Sequence, residues 1–512
     1  VEGTKEGLID DLNLALQKYA DPLDIINGPL MDGMDEVGRL FNNNELIVAE
    51  VLQSAEVMKA AVRHLEPFME KKEDGNGKGK IILATVKGDV HDIGKNLVEI
   101  ILSNNGYKIV NLGIKVTSNE LLEAIKRENP DAIGLSGLLV KSAQQMVLTA
   151  QDLKQHNITL PILVGGAALT RKFTETKICP EYDGLVLYAK DAMQGLELAN
   201  RITDEGERKK LLEEKRQRLA SLQSSGQKEE RAEQKILVRS NVSNNHPIFV
   251  PEDLERHIIR DYKISYLKPY INMQMLLGHH LGLKGNVGRL LIEKDEKALA
   301  LKEKVDAFLN EAIEKGTIEA NAVYQFFPAQ SDGNDIIIYD PKDHTKEIER
   351  FTFPRQQKEP YLCLADFVRP VSGEKMDYVG FFAVTTGKGI RELAQKAKEE
   401  GDYLLSHLIQ ATTLELAEAF AERIHQEMRD KWGFPDPVDM TMQERFSAKY
   451  QGVRVSFGYP ACPNLEDQAK LFNLLEPEKI GITLTSEYMM DPEASVTAMV
   501  FSHPEARYFN VL

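Results

Sequence analysis

Gly88-Asp89-Val90-His91-Asp92-Ile93-Gly94 is the stretch where residue types and spacing point most directly to chemistry. It follows the apolar run 81–86 and precedes a helical pattern, so His91 belongs at the carboxyl end of a strand, the edge at which parallel sheets bind ligands. An imidazole there can give one nitrogen to a metal. Asp89, two residues earlier, can hold the other nitrogen and fix the tautomer. Gly88 and Gly94 remove side chains where a large flat ligand would approach the backbone. Ser136-Gly137-Leu138-Leu139 and Gly165-Gly166-Ala167 end two further strands with small residues and leave a deep slot. No GxGxxG follows the first strand, so the slot suits a bulky tail better than a pyrophosphate. Two plainer readings of the Asp-x-His loop stand beside this one: a hydrogen-bonded turn, and, together with Asp92, half of a divalent-metal site.

The elements that must position these residues are readable from periodicity. Residues 1–72 carry helical apolar spacing: Leu8, Leu12, Leu14 and Leu16, then a segment opened by Pro22, then a third helix over about 45–70, together a small bundle. A charged, Gly-rich stretch covers 71–79. Residues 80–202 alternate strands (80–86, 107–112, 132–138, 161–164, 185–188) with helices near 94–104, 117–129, 142–156, 170–178 and 190–202. Five such repeats predict a parallel sheet with helices on both faces. Residues 203–235 are too dense in charge of both signs to be buried and read as a solvated helix or a tether. From 236 to 512 the pattern mixes helices (near 252–264, 293–315, 391–429 and 465–478) with strands (near 336–340, 379–384 and 495–501), which predicts α+β.

Composition narrows the function. Lys and Arg number 63 against 79 Asp and Glu, a formal net charge of −16, which argues against a nucleic-acid binder. No run of about 18 apolar residues predicts a membrane helix, and no basic-then-apolar leader opens the chain. Cys179, Cys363 and Cys462 are far apart and form neither a CxxC signature nor a disulfide framework. A cytoplasmic protein is expected. Because Val1 already lies at the start of a helical pattern, a fragment of something longer is expected too.

GDVHDIGKN, followed by SGLL and VGGA, resembles the cobalamin-binding domain of B12-dependent methyltransferases and mutases. GPLMDGMDEVGRLF resembles the helical cap of the methyltransferases, and Arg454-Val455-Ser456-Phe457-Gly458-Tyr459-Pro460-Ala461-Cys462-Pro463 resembles the S-adenosylmethionine loop of the reactivation domain in the cobalamin-dependent methionine synthase family. The resemblance covers the chain in order and implies a C-terminal half: cap (1–72), flavodoxin-like, doubly wound cobalamin domain (73–202), charged linker (203–235) and reactivation domain (236–512).

It implies that His91 is the lower cobalt ligand, that Asp89 accepts from its other nitrogen, and that Ser142 extends the relay; a helix N-cap is the plain alternative for Ser142. Gly88, Val90, Asp92, Ser136, Val140, Gly165, Gly166 and Ala192 would surround the corrin and its tail. Phe41 and Val48 would lie over its methyl face, with bundle packing as their plain reading. Arg454 would pair with the S-adenosylmethionine carboxylate, the alternative being a structural salt bridge. Tyr459, Tyr508 and Phe509 would stand near that ligand, with Asn272 where the family usually offers an Asp. Glu418 would approach cobalamin during reactivation, or is simply a helix-face charge. Cys462 reads as a packed loop residue.

The implied activity is methyl transfer from methyltetrahydrofolate through methylcobalamin to homocysteine. Zinc, homocysteine and folate would belong to modules in the N-terminal half, and reductive methylation would use a flavodoxin-type electron donor. The alternatives are a stand-alone corrinoid methyl carrier and a B12-dependent sensor.

Overall fold

The structure, a computed structural model, describes residues 1–19, 21–68, 78–224, 239–373 and 375–511. The chain divides into two compact units: Val1–Lys228 with Gln274–Val305 and Arg391–Ala411, and Glu229–Met273 with Asp306–Ile390 and Thr412–Leu512.

The first unit opens with the helices Leu8–Lys18, Met31–Asn42 and Val48–Leu65. Leu12 packs with Ile25, Ala61 and Leu65. Leu14, expected with them, is 53% exposed. At 100° per residue Leu8, Leu12 and Leu16 share a face while Leu14 turns nearly opposite. The helical path breaks at Gly28 (φ −99°, ψ −106°), just before Pro29, which cannot continue an ordinary hydrogen-bond ladder.

A five-stranded parallel sheet follows: β1 Gly79–Thr85, β2 Tyr107–Asn111, β3 Ala132–Ser136, β4 Ile162–Gly165 and β5 Val186–Tyr188, in the order β2-β1-β3-β4-β5. Helices Ile93–Asn104, Ser118–Glu128, Val140–Gln155 and Ala192–Thr203 cover both faces, and a short helical stretch occupies Arg171–Ile178. Alternate residues of one strand feed opposite cores. Ile82 and Ala84 pack with Ile133, Leu135 and Met146. Ile81 and Leu83 pack with Ile101, Leu102, Leu196 and Ile202, and also with Val37 and Val51 of the helical region. Burial on both faces is why these strands read as unbroken apolar runs. The strand order reverses between β1 and β3, so the loop carrying His91 leaves the sheet at the switch point where such folds hold ligands.

Glu205–Ser224, in the charge-dense stretch, is helical; the rest of that stretch, up to 235, lies outside the described residues.

The second unit is built on a seven-stranded sheet. The strands are β6 His257–Ile259, β7 Asn321–Asp332, β8 Asp335–Asp340, β9 Asp343–Thr352, β10 Asp377–Thr385, β11 Val453–Val455 and β14 Ser495–Phe501; two short strands, β12 Thr483–Leu484 and β13 Met490–Asp491, pair separately. The order is β11-β14-β10-β7-β8-β9, with β6 on β7, and its pairings are antiparallel. The helix expected near 252–264 is absent: His257–Ile259 pairs with Ala322–Tyr324 as an edge strand, and only Ile264–Leu267 is helical. Pairing on an existing sheet overrides a weak local helical preference here. No described helix is long and apolar enough to cross a membrane.

Candidate functional site

The first unit's site is assembled around one buried carboxylate. Asp89 is fully buried. Its Oδ1 accepts from His91 Nδ1 at 2.6 Å and from the His91 backbone N–H at 2.9 Å. Its Oδ2 accepts from Ser142 Oγ at 2.5 Å and from the Leu138 backbone N–H at 2.8 Å. These four donors match the acceptor capacity of an ionised carboxylate, so the buried charge is satisfied. Burial pushes the carboxyl up, yet the bonds from His91 and Ser142 outweigh it and hold Asp89 below the ordinary range. An acceptor-only carboxylate requires His91 Nδ1 to donate, which leaves Nε2 as the atom a metal would take.

The surroundings are shaped by glycine. Gly88 turns the loop at φ +74°. A Cβ on Gly137 would stand 2.4 Å from Ser142 Cβ, and one on Gly166 would stand 1.7 Å from the Gly137 carbonyl oxygen. Gly94, in contrast, faces open space. Ser142 lies inside the first turn of Val140–Gln155, whose N-cap is Leu139, so the N-cap reading gives way to the contact with Asp89.

A cavity of about 570 Å³ opens beside the carboxyl ends of β3 and β4. Of the residues expected around a cofactor, Val48, Ser136, Gly165, Gly166 and Ala192 line it. Val90 is fully buried, Asp92 lies 3.9 Å from the Lys95 ammonium, and Val140 is exposed. Phe41 packs on the core that contains Val37 and Val51, as bundle packing alone would place it. Sequence reasoning missed His279, His280 and His407, which also line the cavity; His407 Nε2 donates to the His280 carbonyl at 2.9 Å.

Among the described residues, no cluster of three or more His, Cys, Asp and Glu is placed to hold a bare metal ion, so Asp92 does not complete a divalent site with His91. A single imidazole with a fixed tautomer, a loop with an open glycine and a roomy slot lined by small residues fit a cofactor that brings its metal in a macrocycle. They do not resemble a protein-built metal cage.

In the second unit, Arg454 extends from β11 to two carboxylates on the helix Tyr403–Trp432. Its Nη2 lies 3.4 Å from Glu422 and 3.7 Å from Glu418. These charges, with the nearby Tyr450 and Tyr508 hydroxyls, push the Arg454 pKa up against the opposing effect of its burial. Tyr459 is largely exposed, and its hydroxyl feels both Glu418 and Arg454. Arg454, Glu418, Tyr459 and Tyr508 are thus brought into one neighbourhood. Phe509 instead packs edge-on against Phe367, and Asn272 is half-buried just past Tyr270, whose hydroxyl donates to Gln426 at 2.5 Å.

Cys462 Sγ donates to the Ser456 carbonyl at 2.8 Å, and burial pushes its thiol up to about 12, which suits a packed loop residue. The residues missed here are Glu422, His425, Arg429 and Tyr450. Arg429 lies 3.9 Å over the Tyr450 ring, and His425 meets the same ring edge-on. The 418, 422, 425, 429 spacing was the available signal, since it marks one face of a helix.

Comparison with known proteins joins the two sites. A family model described as "Vitamin B12 dependent methionine synthase, activation domain" matches residues 263–512, and two described as "B12 binding domain" match 1–66 and 79–197. Methionine synthases of Mycobacterium tuberculosis and Mycobacterium leprae are 39% and 38% identical over the whole of this chain, which covers 45% of each. The chain therefore spans about half the length of the curated relatives it matches. A crystal structure of a MetH reactivation domain bound to AdoHcy is similar over 52% of this chain and 84% of its own, at 32% identity and a TM-score of 0.50. The activation-domain match disfavours a stand-alone carrier or sensor. The chain therefore carries two B12-binding domains and the activation domain of the vitamin B12-dependent methionine synthases.

Proposed function

We propose that the first unit binds cobalamin with His91 as the lower ligand of cobalt, and that the second unit binds S-adenosylmethionine through Arg454. Within a full-length cytoplasmic enzyme, the chain would serve methyl transfer from methyltetrahydrofolate to homocysteine. The modules for those two substrates, and the zinc, would lie in an N-terminal half, and a flavodoxin-type protein would donate electrons. We assign 1–72 to the cap, 73–202 to the cobalamin domain, 203–235 to the linker and 236–512 to reactivation.

When bound, cobalamin supplies a cobalt that accepts and releases a methyl group and that S-adenosylmethionine remethylates under a reductant. The chain's own residues supply the setting. Asp89 keeps the proton of His91 on Nδ1, so Nε2 can hold either a metal or a proton but not both. Ser142 and the Leu138 N–H fix the far oxygen of Asp89 and with it the plane of the ring. The cavity beside β3 and β4 would take the nucleotide tail, and Gly88, Val90, Asp92, Val140 and Phe41 would belong to the surroundings of the macrocycle. Arg454 offers a guanidinium to a carboxylate, with Tyr459 and Tyr508 close by; Phe509, packed on Phe367, and Asn272 would join the ligand's surroundings, and Glu418 would approach the cofactor during reactivation.

The observation that carries this reading is the His91–Asp89–Ser142 chain at the switch point of the sheet. The test is the visible absorption spectrum after loading with methylcobalamin. His91→Gly is expected to retain corrinoid through gel filtration while losing the spectrum of nitrogen-ligated cobalt. A variant spectrum identical to that of the wild type would sink the ligand assignment.

A further inference from the structure

Arg454 meets two carboxylates that differ sharply in setting. Glu418 and Glu422 stand one helical turn apart on the same face of Tyr403–Trp432, and both reach the same nitrogen, Nη2. The Glu422 side chain is 7% exposed and is flanked on its other side by Arg429 Nη2 at 3.9 Å. The Glu418 side chain is 55% exposed, and its contact with Arg454 is the longer of the two. An exposed ion pair contributes about 0–1 kcal/mol and gives way easily, whereas a buried partner cannot leave without stranding a charge.

We propose that Glu418 is an exchangeable internal stand-in for the carboxylate of the ligand, while Glu422 is the fixed positioning residue that holds the Arg454 guanidinium from behind. The inference rests on the proposal that the second unit takes an S-adenosyl amino acid. Glu418 occupies the solvent side of Arg454. An arriving α-carboxylate takes its place, so Arg454 keeps two carboxylate partners before and after, and the released Glu418 is left at the mouth of the site. Admission then requires a ligand with a carboxylate, because only such a ligand restores the pairing that Glu418 gives up. The same chemical change at the two positions should have opposite effects. Removing the charge of Glu418 removes a competitor, and removing that of Glu422 loosens the guanidinium itself.

The test is calorimetric titration of the whole chain with S-adenosylhomocysteine and with its decarboxylated thioether, S-adenosyl-3-thiopropylamine. Glu418→Gln is expected to bind S-adenosylhomocysteine about two- to five-fold more tightly, the range that loss of an exposed ion pair allows. Glu422→Gln is expected to bind it more weakly. The gain from Glu418→Gln should be absent with the decarboxylated ligand and absent in an Arg454→Ala background, where there is no guanidinium to liberate. The exchange is overturned if Glu418→Gln binds no more tightly than wild type, or if its gain persists without Arg454, which would mark a diffuse charge effect. Wild-type protein that takes no S-adenosylhomocysteine at all would overturn the ligand class itself, an outcome separable from the other two.

Discussion

At Gly137 a single added methyl group would collide with Ser142 Cβ and approach Asp89 Oδ2 to 3.1 Å. Gly137→Ala is therefore expected to push Ser142 off the carboxylate. It should lower unfolding stability by about 1–3 kcal/mol, the usual effect of overpacking, read as a shift of the urea midpoint. The pairing of Asp89 with His91 was legible in the sequence because two residues of one loop need no long-range information. Ser142 was legible only through the resemblance: the sequence alone could not tell an N-cap from a contact 53 positions away. Glu422, His425 and Arg429 share a readable helical face, but charged residues on such a face are ordinarily solvated, and nothing local says that this one is buried under Tyr450.

Helix Ser118–Glu128 begins with a reciprocal cap, in which Thr117 Oγ1 accepts from the Glu120 N–H and Glu120 Oε2 accepts from the Thr117 N–H. Thr117→Ala is expected to destabilise the first unit by about 1 kcal/mol in urea denaturation and to leave methylcobalamin affinity unchanged, since the cap supports an element rather than the site. The five parallel strands were legible because each is a short, largely apolar run, four of them closed by Gly88, Asn111, Ser136 and Gly165 and the fifth by the polar pair Lys190-Asp191. The antiparallel sheet was legible only in part. The reading drew no strand over Asn321–Asp332 or Asp343–Thr352. The first contains Pro328, normally a sign against a central strand. It is tolerated because β6 pairs only with 322–324 and β8 only with 329–332, so the edge beside Pro328 has no ladder to break. The second, DHTKEIERFT, is a mostly exposed edge whose charges hide any alternation.

Across the whole molecule, buried histidines set a dependence on pH. Burial, with Arg429 and Arg454 nearby, holds His425 well below the ordinary histidine range, and burial lowers His407 and His503 as well. The unfolded chain protonates these rings near pH 6.5 while the fold does not. The unfolded state therefore binds more protons below that point, and stability falls as pH falls through it. Each ring contributes a slope of roughly 1 kcal/mol per pH unit. Urea midpoints between pH 7.5 and 5.5 should decline more steeply in wild type than in His425→Phe; equal slopes would remove His425 from this account. The raised carboxyl of Glu422 acts in the opposite sense in both proteins, so the comparison isolates the ring.

One close approach in the first unit reaches further than its size suggests. Gly166 crosses the Gly137 carbonyl so tightly that no side chain fits between them, and Gly137 has Ser142 and Asp89 against its other side. The lip of the slot and the backing of the imidazole thus share one peptide. A guest that spread the lip would also press on the backing of the ring, so pocket filling is expected to alter the histidine's setting, read as a shift of its NMR signal on ligand addition.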